Sequence, residues 1–201
     1  MKTIFFDVDT QIDFLFSAGA LYVPGSERIL PLVAKLNHWA AENGIPVIST
    51  MDAHAENDPE FRHWPAHCVV GTVGQRKPER SLLKTRVVVP SYEANVDVSG
   101  AQQILLEKQS VDCFTNANIH KVLDALEAER YLVYGVVTEI CVKNALFGLL
   151  ETGRRVEIVA DVTKSLNREE ARSMVVEFRS RGGVKTSAAS VMKERFSSGA
   201  E

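Results

Sequence analysis

Apolar residues along this chain fall into two alternating kinds of run. Thr3–Val8 is short, continuous and rich in β-branched and aromatic residues, which predicts a strand buried on both faces. Phe14–Pro24, with Gly19, predicts a loop. From Ser26 the spacing becomes helical: Ile29, Leu30, Leu32, Val33, Leu36, Trp39 and Ala40 share one face, and Gly44 stops the run. Ile45–Met51 returns to the strand pattern. Asp52–Lys84 is long, polar and rich in Gly, Pro and His, the kind of loop that usually carries function. Val87–Val89 and Ala101–Glu107 predict two more strands, the second ending at Lys108. Asn116 or Asn118 caps a helix that runs to Ala128. Tyr131–Val137 predicts a strand, and Ile140–Leu150 a helix with Ile140, Val142, Ala145, Leu146, Leu149 and Leu150 on its apolar face and Gly153 as its stop. Thr138 suits the N-cap of that helix and Glu139 its positive end. Val156–Val162 is a further strand, Arg168–Arg181 a helix stopped by Gly182–Gly183, and Val184–Thr186 a last strand. Ser187–Phe196 reads as a helix and Ser197–Glu201 as a frayed tail.

Strands alternating with helices predict an α/β fold: one domain over residues 1–201, with a mostly parallel, doubly wound sheet and helices on both faces. Ligands of such sheets bind beyond the C-terminal ends of the strands. Chemistry-bearing side chains gather there. Asp9 follows the first strand, with Asp7 and Asp13 close by. Asp52 and His54 follow the second, Lys108 a middle one, and Cys141 the next. Each has an ordinary explanation taken singly: a turn cap for Asp9, a solvated side chain for Lys108, an Asx-turn for Asp52, a small core residue for Cys141. A thiol in the first helical turn after a strand, however, meets unpaired N–H groups and the helix dipole, which favour the thiolate.

Composition narrows the function classes. Of 201 residues, 45% are hydrophobic and 24% charged, an ordinary globular balance. With a net charge of −3 and no basic run, nucleic acid is not an expected partner. No stretch approaches the roughly 18 apolar residues that span a bilayer, so no membrane partner is expected. The N-terminus, MKTIFFDVDTQIDF, turns acidic after a short apolar run, unlike a signal peptide. A cytoplasmic location is the expectation. Three cysteines make no disulfide framework, and Cys68 and Cys113 read as structural thiols.

Four segments together carry a resemblance: V-D-T-Q-I-D-F (Val8–Phe14), D-A-H with W-P-A-H-C-V (Asp52–His54, Trp64–Val69), L-L-E-K (Leu105–Lys108) and G-V-V-T-E-I-C-V (Gly135–Val142). In that order, across nearly the whole chain, they resemble the nicotinamidase/isochorismatase-like cysteine hydrolases. The resemblance implies a triad of Asp9, Lys108 and Cys141, a cis peptide at Val136–Val137, and an oxyanion site made by the backbone N–H groups of Val137 and Cys141. Asp52, His54 and His67 supply a carboxylate and two imidazoles, a set suited to one divalent ion, Zn²⁺ first and Fe²⁺ or Mn²⁺ after it. Isochorismatases of this superfamily lack that site, so it points to the nicotinamidase (pyrazinamidase) branch. Glu60, His63 or water completes the shell, with His63 read as a surface histidine. Phe14 and Trp64 match the aromatics that flank a pyridine ring in that branch. Two positions depart from the usual pattern: Thr10 after Asp9, and Ile140 beside the nucleophile. The implied activity is hydrolysis of a small-molecule amide, nicotinamide to nicotinate and ammonia, by a homo-oligomer. A ureido or carbamoyl amidase, an isochorismatase-type hydrolase and a non-catalytic binding protein on the same fold are the alternatives.

Overall fold

Seven strands form where continuous apolar runs can be buried on both faces: β1 (Thr3–Val8), β2 (Val47–Asp52), β3 (Arg86–Val89), β4 (Gln103–Lys108), β5 (Arg130–Val136), β6 (Arg155–Lys164) and β7 (Val184–Thr186). The computed structural model describes residues 1–194. The strands make a single sheet in the order β3-β4-β2-β1-β5-β6-β7, with every neighbouring pair parallel. Every residue of the central strands β1, β2 and β5 is buried, which explains runs without a polar alternation.

The helices are α1 (Ile12–Leu15), α2 (Leu30–Glu42), α3 (Ile119–Leu126), α4 (Cys141–Glu151), α5 (Arg168–Ser180) and α6 (Ala188–Val191). Because side chains alternate along a strand, β1 feeds two cores. Ile4, Phe6 and Val8 pack with Leu123 of α3, Leu146 of α4 and Phe178 of α5. Phe5, Leu132 and Tyr134 pack with Val33 and Leu36 of α2 and Val191 of α6. Among the described residues no helix is long and apolar enough to cross a membrane.

Several boundaries differ from expectation, each for a tertiary reason. Phe14 lies in α1, not in a loop. Ser26 opens a 3₁₀ turn before α2, and its hydroxyl donates to Phe14 O at 2.8 Å. Asn118 stands at the α3 N-cap, but its side chain binds loop backbone: it accepts from Ala94 N and donates to Pro90 O and Tyr92 O. That helix stops at Leu126 because Glu127 turns left-handed (φ 47°). Thr138 is not the cap of α4. Ile140 holds that position without a side-chain cap, and Thr138 N donates to Lys164 O at 2.8 Å. The strand expected over Val156–Val162 runs on to Lys164, and the last helix ends at Val191; its expected remainder from residue 195 and the tail Ser197–Glu201 lie outside the described residues.

Gly135 sets how closely β5 approaches β1. Its φ is +121°, and a Cβ there would collide with the Val8 carbonyl oxygen. This close approach brings the turn that leads to Cys141 against the end of β1 that carries Asp9.

Candidate active site

The sheet places the acidic and basic side chains by register. β2 and β4 pair with Asp52 opposite Lys108, so both emerge at the same height at the strand ends. Asp9 follows β1 with φ 49°, a left-handed turn that redirects its side chain. Its Oδ1 accepts from Thr50 Oγ1 at 2.6 Å, and its Oδ2 lies 2.9 Å from Lys108 Nζ. Lys108 Nζ also pairs with Asp52 Oδ1, donates to Ser110 O at 2.9 Å, and stands 4.0 Å from Cys141 Sγ. Lys108 is therefore no solvated side chain: it is 1% exposed, between two carboxylates.

Burial and charge compete at each group. Burial pushes the Cys141 thiol well above its ordinary pKa; Lys108 opposes that push, and Asp9 and Asp52 reinforce it. Burial and the two carboxylates thus work against the thiolate that a helix start and Lys108 favour. Burial likewise raises Asp9, against the pull of Lys108. Burial would lower Lys108, but Asp52 and Asp9 outweigh it and hold the ammonium charged. Burial would raise Asp52, yet Lys108 and the two imidazoles hold it well below the usual carboxylate range. The peptide between Val136 and Val137 is cis. Val137 O accepts from Ile140 N and Val142 N, which folds the turn so that Val137 and Cys141 face one cleft.

Asp52, His54 and His67 converge. Their ligand atoms lie within 4.8 Å of one another, with Asp52 Oδ2 3.7 Å from His54 Nε2 and 3.5 Å from His67 Nε2. Each imidazole is oriented from behind. His67 Nδ1 contacts Pro65 O at 2.7 Å, and Asp58 Oδ2 lies 3.0 Å from His54 Nδ1. Outer partners of this kind fix the tautomer of metal-bound histidines and leave Nε2 as the ligand. Both ring nitrogens of His54 are buried and neither makes a well-directed hydrogen bond among the described residues, Asp58 at Nδ1 being a close charge contact. A buried orphan nitrogen beside a carboxylate and a second imidazole fits a divalent cation. Glu60 shares a second grouping with His54 and Asp58, whereas His63 is exposed and belongs to neither.

The cleft between this cluster and Cys141 is narrow, with a cavity volume of about 40 Å³. Asp52, Glu60, His67, Val137 and Cys141 all line it; its apolar walls include Phe14, Trp64, Leu21, Val111, Ile140 and Leu166. The ring of Phe14 stands 5.4 Å from that of His67. No lysine or arginine is among the described lining residues. Of the two departures from the usual pattern, only Ile140 faces the cleft. Thr10 serves a separate buried ion pair: its hydroxyl donates to Asp7 Oδ1 at 2.7 Å and accepts from Lys77 Nζ, which also binds Asp7 Oδ2 at 3.2 Å.

Three supporting residues were not singled out by sequence. Gln11 clamps the Asp52 backbone, accepting from Asp52 N at 2.7 Å and donating to Asp52 O at 2.9 Å. Asp13 accepts from Ala20 N and from Cys68 N, which seats the segment carrying His67. Both lie in the V-D-T-Q-I-D-F segment, so a signal was present. Asp58 had only its spacing of four residues from His54.

The sequence profile of the isochorismatase domain family matches residues 3–190. A nicotinamidase of Escherichia coli is 26% identical over 190 residues, covering 80% of this chain and 82% of that protein. The pyrazinamidase of Pyrococcus horikoshii in complex with zinc superposes with a TM-score of 0.77 at 26% identity, covering 93% of this chain and 99% of that one. The N-carbamoylsarcosine amidase of Thermoplasma acidophilum superposes with a TM-score of 0.76 at 21% identity over 94% and 97% of the two chains, a likeness of fold.

Proposed function

The chain belongs to the isochorismatase domain family, and on that premise we propose that it is a metal-dependent cysteine amidohydrolase converting nicotinamide to nicotinate and ammonia. The observation that carries the substrate is the lining of the cleft: aromatic and aliphatic walls that hold both the ligand atoms of the cluster and the Cys141 thiol, with no lysine or arginine among the described lining residues. A neutral flat ring with a meta carboxamide suits such walls. An N-carbamoyl amino acid or a vinyl-ether dicarboxylate would bring a carboxylate for which the described lining offers no lysine or arginine beside the cation site.

Asp52, His54 and His67 would hold a divalent cation, with the N₂O donor set that suits Zn²⁺. When bound, it supplies a Lewis-acid contact for the lone pair of the ring nitrogen, directly or through water. Phe14 and Trp64 cover the ring, and the amide carbon falls beside Cys141. Asp9, its basicity raised by burial, takes the thiol proton as Sγ bonds to the carbonyl carbon. The backbone N–H groups of Val137 and Cys141 receive the oxyanion. Asp9 returns the proton to the leaving nitrogen, the C–N bond breaks, and ammonia departs from a thioester. Water then attacks the thioester, giving a proton to Asp9. The C–S bond breaks to release nicotinate, and Cys141 regains its proton. Throughout, Lys108 offsets the negative charge gathered at Asp9, Asp52 and sulfur.

The test is ammonia release from nicotinamide, pyrazinamide, benzamide and an N-carbamoyl amino acid. Nicotinamide and pyrazinamide should turn over, and benzamide, which lacks the ring nitrogen, far more slowly. Turnover of the N-carbamoyl amino acid alone would overturn the nicotinamidase reading and leave the cysteine-hydrolase chemistry standing.

A further inference from the structure

Glu139 sits two residues before Cys141, and its side chain turns away from the reacting groups. Its Oε1 accepts from Leu166 N at 2.8 Å and from Asn167 N at 2.6 Å. Those N–H groups open α5, where Asn167 is the N-cap and binds Glu169 N and Glu170 N through its own side chain. A second tie runs in parallel, since Thr138 N donates to Lys164 O at 2.8 Å. The nucleophile turn and the turn before α5 are thus fastened to each other at two points. Between the fastenings stands Leu166. It lines the cleft beside Ile140 and Cys141, yet it is 48% exposed. A large apolar side chain fixed half-open at the mouth of a cleft has surface left to bury against whatever enters.

We propose that Leu166 contacts the ring of the bound substrate and selects for it, and that Glu139 is the positioning residue that holds Leu166 at the cleft. The inference rests on the reading of Cys141 as the reacting end of the cleft. Leu166 completes the apolar wall that Phe14 and Trp64 also line only while the backbone N–H groups of residues 166 and 167 stay bound to the Glu139 carboxylate. The role of Glu139 is as an acceptor, so a neutral acceptor of the same shape should serve.

The experiment uses Leu166→Ala, Glu139→Ala and Glu139→Gln. For nicotinamide, KM should rise about fivefold to tenfold in Leu166→Ala and Glu139→Ala, with kcat within about twofold, half a leucine's burial being worth up to about tenfold in binding. Glu139→Gln should restore KM, because its amide oxygen accepts the same two N–H groups. A loss of kcat that Glu139→Gln does not rescue would mark a merely structural role and overturn the assignment. A second readout needs no turnover: the rate of Cys141 alkylation by N-benzyl-2-iodoacetamide relative to 2-iodoacetamide. That ratio should fall in Leu166→Ala and Glu139→Ala and persist in Glu139→Gln; a ratio unchanged or increased in Leu166→Ala overturns the proposal. If wild-type protein does not hydrolyse nicotinamide while the ratio still falls, the nicotinamidase reading fails and the role of Leu166 stands.

Discussion

All three thiols are buried, and burial pushes each above its ordinary pKa. What sets Cys141 apart is its company: Lys108 Nζ at 4.0 Å and a place in the cleft wall. Cys141→Ala is therefore expected to lower turnover by a factor on the order of 10⁴ or more, while Cys68→Ala and Cys113→Ala keep most activity; steady-state ammonia release with matched melting curves checks this. Activity near wild type in Cys141→Ala would remove the thiol from the reaction. Asp58 invites a different measurement. Removing the carboxylate behind His54 Nδ1 leaves the imidazole free to rotate, so Asp58→Ala should weaken divalent-cation affinity about 10- to 100-fold, read by chelator competition on protein loaded with Zn²⁺ alone. Equal affinity in the two proteins would show that His54 needs no such brace. The residues legible in the sequence were those that follow strand ends: Asp9, Asp52, His54, Lys108 and Cys141. Asp58, Gln11 and Asp13 were not assigned roles because their partners are fixed only when loops fold back, as when Asp13 reaches Cys68 N.

Among the elements, β5 and the turn after it carry the heaviest constraint. Gly135 occupies a positive φ where an added Cβ would meet the Val8 backbone. Gly135→Ala should destabilise the fold by about 3 kcal/mol, measured by urea unfolding, whereas Gly153→Ala, with φ +72° and open space around the site, should cost about 1 kcal/mol. Equal costs would mean that β5 can withdraw from β1 without penalty. The same region shows where local pattern misleads. Thr138 has the composition of an N-cap, yet its backbone is claimed by Lys164 O, and α4 starts instead from Ile140. Asn167 caps α5, whose start at Arg168 is the one the sequence pattern predicts. Strand cores were legible because burial on both faces leaves an unbroken apolar run. The starts of α2 and α4 were not, since a polar residue near a helix start can bind sequence-distant backbone as readily as its own helix.

For the whole molecule, Arg130 ties the start of β5 to β6 and to the last described turn. It donates to Glu157 and, through both terminal nitrogens, to Glu194; Arg155 also donates to Glu157 at 2.7 Å. Burial would raise the Glu157 pKa, but the two guanidinium groups pull it below its ordinary 4.5. A lowered folded-state pKa means stability that is present above the unfolded value and lost as pH falls through the folded one. Glu157→Gln should cost about 2 kcal/mol at pH 7, and the gap from wild type should close as pH drops below about 4.5; denaturant melts across that range check it. A gap that stays constant with pH would show that the charge of Glu157 is not the source. Strand order was implied by the alternation of elements only as far as a parallel sheet. Which strands neighbour one another depends on contacts no local pattern encodes. Placing β1 at the centre has a cost during synthesis. One edge of β1 can pair with β2 early, but Lys2 N meets Glu129 from 127 residues away, so the other edge waits until β5 has left the ribosome. Until then a strand that the finished fold buries completely is open on one side, a target for chaperones and for other nascent chains, and refolding in vitro should be slow and sensitive to protein concentration.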